Sequence, residues 1–178
     1  MNQDGIQIVS DFRNLSKDAF FEKYNCFFLI KKENESSEKA SKNLVFATIS
    51  VNNLEELLSQ AKDQGSENKI TEIISVKKSS RNPFLKKIIV GRTTTQDIII
   101  DNSNISKYHG HFEYKTEDDL SFTDRGSTNG TLVNNIKLEA SIPMNIKDGD
   151  AISFSGINYK VYNNRKTYLL IKDTKFDF

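Results

Sequence analysis

Polar side chains that could bind an anion recur in the turns between short apolar segments of the second half of the chain. Arg92 follows one such segment, Ser106 precedes another, and Asn129 lies in a turn between two more. An arginine offers a forked cation, a serine hydroxyl donates a hydrogen bond, and an asparagine amide both donates and accepts. If these turns gather at one end of a β-sandwich, their side chains form an anion-binding site suited to a peptide.

The sequence gives little support for catalysis or for a metal site. Its two histidines are His109 and His111, and neither a Gly-x-Ser-x-Gly motif nor a phosphate-binding loop ending in Gly-Lys-Ser/Thr occurs. Alternate strand residues share a face, so the two histidines could form a metal pair, but no third ligand is apparent. The segment 148–150 (Asp-Gly-Asp) is interpreted as a turn, because the rest of a calcium loop is missing. We therefore expect no catalytic residue, no metal and no cofactor.

Composition narrows the remaining function classes. The chain has 178 residues, of which 37% are hydrophobic, and 25 basic residues balance 24 acidic ones. That apolar content is sufficient for a core, while the charge balance shows no bulk signature of binding to nucleic acid or anionic membrane. Cys26 is the single cysteine, and no apolar run approaches the length of a membrane span. The sequence thus predicts a cytoplasmic protein without a nucleic-acid partner or membrane insertion.

The elements expected to position these residues fall into two regions. Before residue 70, Ser16 is a candidate helix N-cap, and the polar segment 31–42 is predicted to be an exposed loop. The predicted elements of this region are a helix at 17–24, strands at 26–30 and 44–50, and a helix at 53–63.

From residue 70 onward, short apolar runs alternate with turn residues, and no convincing helix pattern appears. Asn134-Asn135 and Ser155-Gly156 are predicted hairpin turns, because asparagine and glycine tolerate a positive φ. About nine short strands of this kind predict a sandwich or a barrel. The strands are predicted at 71–76, 87–90, 98–100, 112–114, 120–122, 131–133, 136–138, 152–154 and 157–161.

Three motifs of the second region occur in a characteristic order. They are Gly91-Arg92, then Ser106 followed by His109, then Ser-Thr-Asn-Gly-Thr at 127–131. This order resembles the forkhead-associated (FHA) domain, a family of β-sandwiches that bind phosphothreonine peptides. The resemblance implies a mainly β fold, an FHA-like β-sandwich of about 10–11 strands with a small α/β N-terminal extension packed on it.

The resemblance also assigns roles to individual binding residues. Arg92 resembles the arginine that binds phosphate, and Ser106 resembles the serine whose hydroxyl meets it. Lys107 is at a position that often adds a phosphate contact. Thr128 and Asn129 match the pair that contacts phosphate and anchors the peptide backbone. A further position, Asn104, falls where the family often recognises the third residue after the phosphothreonine.

Other matching positions are implied to support the fold, namely Gly91, His109 and Gly130. Three positions depart from the family pattern. Gln96 stands where an asparagine is usual, Gly110 replaces a small alanine, and Asn135 replaces a turn glycine. None of these departures removes a phosphate-contact position. His111 is expected either to face solvent or to pack on the opposite side of its strand from Phe112.

These observations give a division of the chain and two hypotheses for its function. We predict an N-terminal α/β extension at 1–69, an FHA domain at 70–164 and a C-terminal tail at 165–178. The first hypothesis is a non-catalytic signalling adaptor that recognises a phosphothreonine-containing partner. The alternative is a structural scaffold whose FHA pocket is unused and whose extension is the interface.

Two further features of the sequence remain open. Lys77, Lys78, Lys86 and Lys87 are interpreted as a solvated face, although they could raise the potential near a peptide groove. The frequent use of Lys, Asn and Ile indicates an AT-rich genome and favours a bacterial source.

Overall fold

The β-strands form two sheets that pack face to face. The structure is a computed structural model that describes residues 3–33, 69–84 and 86–174. The strand predicted at 44–50, the helix predicted at 53–63 and most of the loop predicted at 31–42 lie outside these residues. Within them the strands are β1 (Phe28–Lys32), β2 (Ile70–Ser75), β3 (Ile88–Gly91), β4 (Ile98–Ile99), β5 (Gly110–Thr116), β6 (Asp119–Asp124), β7 (Thr131–Val133), β8 (Ile136–Lys137), β9 (Met144–Ile146), β10 (Ala151–Phe154) and β11 (Ile157–Tyr162).

The strand order defines a six-stranded and a five-stranded sheet. The first sheet has the order β2-β1-β11-β10-β7-β8, and the second has the order β4-β3-β5-β6-β9. Strands β3 and β4 are parallel, and their neighbours pair antiparallel. The mainly β sandwich predicted from the sequence is therefore confirmed.

The core between the sheets contains three phenylalanines from strands of both sheets. Phe112, Phe122 and Phe154 have no solvent exposure, and the Phe122 ring centroid lies 4.8 Å from that of Phe112 and 5.2 Å from that of Phe154. Burying a side chain of this size contributes about 1.5–3 kcal/mol. This packing makes the sandwich a rigid platform for the loops at its ends.

The two predicted hairpins are present and have the expected backbone conformation. Asn134 and Asn135 have φ values of 49° and 67°, and Ser155 and Gly156 have values of 51° and 87°. Each pair connects two antiparallel strands, β7 to β8 and β10 to β11. Positive φ at both central residues gives the turn a twist that matches the strands.

The N-terminal segment is part of the sandwich as well as a layer on it. Strand β1 lies between β2 and β11, with Leu29 opposite Ile74 on one side and Val161 on the other. The helices of the described residues are α1 (Gln3–Asn14), α2 (Lys17–Lys23) and α3 (Asn164–Asp173). Ser16 caps α2 as predicted, since its hydroxyl accepts from the Ala19 amide at 3.2 Å.

A second apolar cluster joins the three helices to the outer face of β1 and β2. Phe28, Ile30 and Ile73 of the sheet are buried in this cluster together with Phe20 of α2 and Ile171 of α3. Alternate residues of a strand point to opposite faces, so β1 contributes Leu29 to the sandwich core and its neighbours to the helical layer. The helices therefore form a third layer on the sandwich. The sequence predicted an N-terminal extension packed there, but not the contribution of α3 to this layer.

Helix α3 was not predicted, because the sequence analysis interpreted residues from 165 onward as a tail. The Asn163 side chain accepts from the Lys166 amide at 2.9 Å and caps the helix. The ring of Tyr168 packs at 4.7 Å from Phe12 and 5.4 Å from Phe20 between ring centroids. No helix among the described residues is long and apolar enough to cross a membrane.

Candidate anion-binding site

Three loops at one end of the sandwich enclose a cavity of about 430 Å³. The loops follow β3, precede β5 and connect β6 to β7. All six side chains to which the sequence analysis gave a peptide-binding or specificity role line this one cavity. The complete lining is Arg92, Ser103, Asn104, Ile105, Ser106, Lys107, Tyr108, Thr128 and Asn129.

Direct hydrogen bonds join the loops across the cavity. The Thr128 amide donates to the Ser106 hydroxyl at 3.1 Å, and the two hydroxyl oxygens lie 3.4 Å apart. The Asn129 side-chain amide donates to the Asn104 carbonyl at 3.0 Å. The backbone amide of Arg92 donates to the Ser106 carbonyl at 3.2 Å. These bonds set the relative positions of the donor groups.

The Arg92 guanidinium is exposed at the rim of this cavity. Among the described residues it has no hydrogen bond and no ion pair, although Asp97 and Asp101 follow it closely in sequence. Asp97 is occupied elsewhere, because it accepts from the amides of Ser79 and Ile89, each at 2.7 Å. Arg92 is therefore available to an external anion.

Gly91 allows the loop that carries Ser106 to approach β3. A Cβ atom at this position would lie 2.2 Å from the Lys107 carbonyl oxygen, so a larger residue would push the two segments apart. The Gln96 side chain donates to the same carbonyl at 3.0 Å and to the Thr93 hydroxyl at 2.8 Å. Gln96, which departs from the family pattern, thus fastens the Ser106 loop.

A single carboxylate, Asp124, orders the loop that carries Thr128 and Asn129. One of its oxygens accepts from the amides of Gly126 and Ser127, both at 2.8 Å. Its other oxygen accepts from the hydroxyls of Ser127 and Thr131, both at 2.6 Å. Burial raises the pKa of Asp124, but these hydrogen bonds outweigh it and hold the pKa below its usual value.

His109 is fully buried and connects the Ser106 loop to Asp124. Its Nε2 lies 3.1 Å from the Thr131 hydroxyl oxygen and 3.7 Å from the Asp124 carboxylate. The Thr131 hydroxyl proton is already donated to Asp124, so Nε2 carries the proton and donates to Thr131. Burial lowers the pKa of His109 and is opposed by the Asp124 charge and the Gly130 backbone. A neutral, buried imidazole of this kind acts as a structural brace.

The two histidines of the sequence do not converge on a shared site. His111 is 3% exposed, so the first expectation, that it faces solvent, is wrong. The alternative agrees with the structure, because His111 and Phe112 are successive residues of β5 and point to opposite faces, with Phe112 in the sandwich core. Its ring lies beside the Tyr108 hydroxyl at 3.3 Å and the Glu113 carboxylate at 3.5 Å. The side chain is buried because Tyr108, a residue of the cavity lining, packs beside it.

Packing also explains a second departure from the family pattern, at Gly110. A Cβ atom there would lie 2.4 Å from the Phe122 ring and 2.5 Å from the Thr123 carbonyl oxygen. An alanine would therefore require Phe122 to move. Gly130 has a φ of 79°, in the left-handed region that favours glycine.

The sequence analysis missed two residues that shape the site from outside the cavity. Asp124 was not singled out, although an aspartate directly before an Arg-Gly-Ser turn is a recognisable acceptor for turn amides. Asp97 was not singled out either. No local pattern in the sequence indicates that the Asp97 carboxylate accepts hydrogen bonds from the amides of residues 79 and 89.

Comparison with known proteins finds a family profile that matches part of this chain. Residues 88–155 match the sequence profile described as the FHA domain. No curated protein matches the chain. The FHA domain of the CT664 protein from Chlamydia trachomatis is 15% identical, with a TM-score of 0.47, and the match covers 77% of this chain and 97% of that one.

Two other solved structures match this chain with similar TM-scores. The FHA domain of an Arabidopsis thaliana hypothetical protein is 29% identical over 52% of this chain and 74% of that chain, with a TM-score of 0.44. The Mycobacterium tuberculosis protein EmbR, solved with a low-affinity phosphopeptide, is 15% identical over 60% of this chain and 28% of that chain, with a TM-score of 0.44. The profile match identifies an FHA domain at residues 88–155, a stretch that includes strands β3 to β10 of the two-sheet sandwich.

Proposed function

We propose that the protein binds a phosphothreonine-containing segment of a partner protein in the cavity at Arg92 and catalyses no reaction on it. The observation that carries this proposal is the free guanidinium of Arg92 beside the hydroxyls of Ser106 and Thr128. A phosphate monoester brings about two negative charges and three acceptor oxygens. The cavity offers a matching cation and matching donors at its rim.

Each polar group of the lining has a distinct role in this proposal. Arg92 and Lys107 supply positive charge, and the Ser106 and Thr128 hydroxyls donate to phosphate oxygens. The Asn129 amide group anchors the peptide backbone. Asn104, whose carbonyl already holds Asn129, recognises a residue beyond the phosphothreonine.

The hydrogen bonds between the loops favour high affinity, because they reduce the number of side chains that must be ordered when a peptide binds. Immobilising a flexible side chain costs about 0.5–1.5 kcal/mol at an interface. Here Ser106, Thr128 and Asn129 are already held by one another and by Asn104. Removal of the phosphate leaves Arg92 without an anion, so binding depends strongly on phosphorylation.

The test is a titration of the full chain with a degenerate phosphothreonine peptide library and with the same library unphosphorylated. We expect saturable binding of the phosphorylated library alone, and loss of that binding in Arg92→Ala. Arg165→Ala is the matched control, because Arg165 is an exposed arginine of α3, outside the cavity lining.

Both variants should unfold within about 0.5 kcal/mol of the parent chain, as is usual for exposed side chains. Absence of binding to any phosphopeptide would contradict the proposal and favour a scaffold in which the pocket is unused. If Arg92→Ala and Arg165→Ala bind the phosphopeptides with equal affinity, Arg92 is not part of the binding site. The cytoplasmic location and the signalling role belong to the same proposal.

A further inference from the structure

A second and larger groove, of about 940 Å³, lies at the opposite end of the five-stranded sheet from Arg92. Ile88 begins β3 and belongs to the groove, whereas Arg92 follows the last residue of β3. At about 3.3 Å per residue, the two sites are separated by roughly 13 Å along this strand. The groove is lined by Asn25, Cys26, Val76, Lys77, Lys78, Lys86, Ile88, Glu113, Tyr114, Lys115, Ser121 and Pro143.

The floor of this groove is apolar and fixed. Cys26, Val76 and Ile88 are buried side chains from three separate segments of the chain. The Tyr114 hydroxyl holds two of these segments together, since it accepts from the Phe27 amide at 2.9 Å and donates to the Val76 carbonyl at 3.1 Å. A preformed concave floor of this kind suits an apolar side chain of a bound chain.

The walls of the groove are basic. Lys77, Lys78, Lys86 and Lys115 are all exposed, and Glu113 is the carboxylate of the lining. The Lys86 and Lys115 ammonium groups have no ion pair or hydrogen bond within the described segments of the chain. Lys86 and Lys115 therefore carry charge that no ion pair among the described residues neutralises, and the lining has four lysines against one carboxylate, Glu113.

The positive surface continues into an adjoining cavity of about 470 Å³ that shares Lys77 and Lys78 and adds Lys23 and Arg81. Its two carboxylates are already engaged. Asp4 accepts from the Ser75 amide at 2.7 Å, and the Asp97 side chain has no solvent exposure. Of these cations, Lys23 pairs with Asp11 at 2.7 Å and Lys78 with Asp97 at 3.3 Å, so the adjoining cavity adds less free positive charge than Lys86 and Lys115 supply in the groove. Because the whole chain carries a net charge of only +1, the clustering of lysines is a local feature.

We propose that the groove binds an extended acidic segment of a partner protein, with an apolar side chain on the floor and carboxylates at Lys86 and Lys115. Charge complementarity selects the acidic character of the ligand. The concave shape and apolar floor favour a peptide over a flat anionic membrane surface. This surface is distinct from the cavity at Arg92, and its occupation does not require a phosphate.

The probe for this proposal is a fluorescein-labelled dodecapeptide in which Glu and Leu alternate, titrated against the full chain by fluorescence anisotropy. We expect saturable binding with a dissociation constant below about 1 mM, weakened when the salt is raised from about 50 to about 500 mM. The double variant Lys86→Glu/Lys115→Glu should bind about tenfold more weakly. The matched control is Lys147→Glu/Lys172→Glu, which reverses two exposed lysines outside the groove.

The control variant and Arg92→Ala should retain the parent affinity for this probe, which separates the groove from the phosphopeptide site. Amide chemical shifts should change at Lys77, Lys86 and Ser121 when the probe is added. Equal weakening in the two double variants, shifts confined to residues 104–107 and 128–129, or no saturable binding would each overturn the proposal.

Discussion

The Asp124 carboxylate connects the fold to the proposed phosphopeptide site at the scale of single atoms. Its two oxygens accept four hydrogen bonds, and the groups that donate them lie on both sides of Thr128 and Asn129. The donors are amides and hydroxyls of the chain itself. Loss of this one acceptor would therefore release the loop without removing any group that contacts a ligand.

We predict that Asp124→Ala destabilises the protein by on the order of 3 kcal/mol and weakens phosphopeptide binding in parallel. Hydrogen bonds to a charged group contribute about 1.5–3 kcal/mol, and buried donors would lose their acceptor. Urea unfolding gives the stability, and peptide titration gives the affinity. Asp101→Ala is the control at an exposed aspartate. A variant as stable as the control would show that the loop orders itself independently of Asp124.

A pH dependence follows from the two buried histidines. Burial lowers the pKa of both His109 and His111 below the ordinary value of 6.5. For His111, Lys87 and Arg125 lower the pKa further, and Glu113 opposes them. The unfolded chain therefore binds more protons than the folded protein below pH 6.5, and the free energy of unfolding falls as the pH drops through this range.

We expect urea midpoints to decrease measurably between pH 7.5 and pH 5.5, and to decrease less in His111→Gln. The buried carboxylates Asp97 and Asp124 do not contribute in this window, because their pKa values lie below 3.8 and their effect begins only at more acidic pH. Identical midpoints at the two pH values would show that the histidines titrate alike in the folded and unfolded chain.

At the scale of elements, the Tyr114 hydroxyl joins three segments. It lies on β5 and bonds to the backbone immediately before β1 and immediately after β2. We predict that Tyr114→Phe costs about 1–3 kcal/mol, because the Phe27 amide and the Val76 carbonyl would lose their partner. Chemical denaturation provides the measurement, with Tyr162→Phe as the matched control. A loss of stability no greater than that of the control would indicate that water replaces the Tyr114 hydroxyl as the hydrogen-bond partner of these backbone groups.

The strands were more predictable from the sequence than the helices. Alternation of apolar and polar residues identified most strands of the second region, because most of them have one face on the sandwich core. Strand β9 was missed because Ile146 is its single buried residue. An extension packed on the sandwich was predicted, but helices α1 and α3, which belong to the packed layer, were not.

The site residues were predictable to the extent that they form local motifs. Arg92, Ser106 and Asn129 occur in recognisable turns, and the structure brings these turns to one cavity. The supporting contacts were not predictable, because Asp97 and Tyr114 bind backbone groups that are distant in sequence. Such contacts depend on how the layers stack, and the spacing of residues along the chain does not indicate that stacking.

At the scale of the whole molecule, the two apolar clusters share the strands of the six-stranded sheet. Residues of β1 are buried on both of its faces, in the sandwich core and in the helical layer. The N-terminal segment is therefore required by both clusters.

We predict that a chain consisting of residues 66–178 alone is poorly soluble and less stable than the full chain. Its six-stranded sheet would lack β1, which lies between β2 and β11. Strand β2 would then have no neighbour, and β11 would become an edge strand. Two strand edges with unpaired backbone groups would then be open to association with other chains. Size-exclusion chromatography and thermal unfolding of the two proteins make the comparison. A monomeric and equally stable fragment would contradict the structural role of β1.

The position of β1 also has a consequence for the biosynthesis of the protein. Phe28 pairs with Tyr162, so about 130 residues must be translated before this strand finds its second neighbour. At about 5–20 residues per second, the interval is roughly 7–27 seconds. During that time Phe27, Phe28 and Leu29 have emerged from the ribosome without their final partners. The nascent chain is therefore expected to need a chaperone at this segment, and slower translation would lengthen the period of exposure.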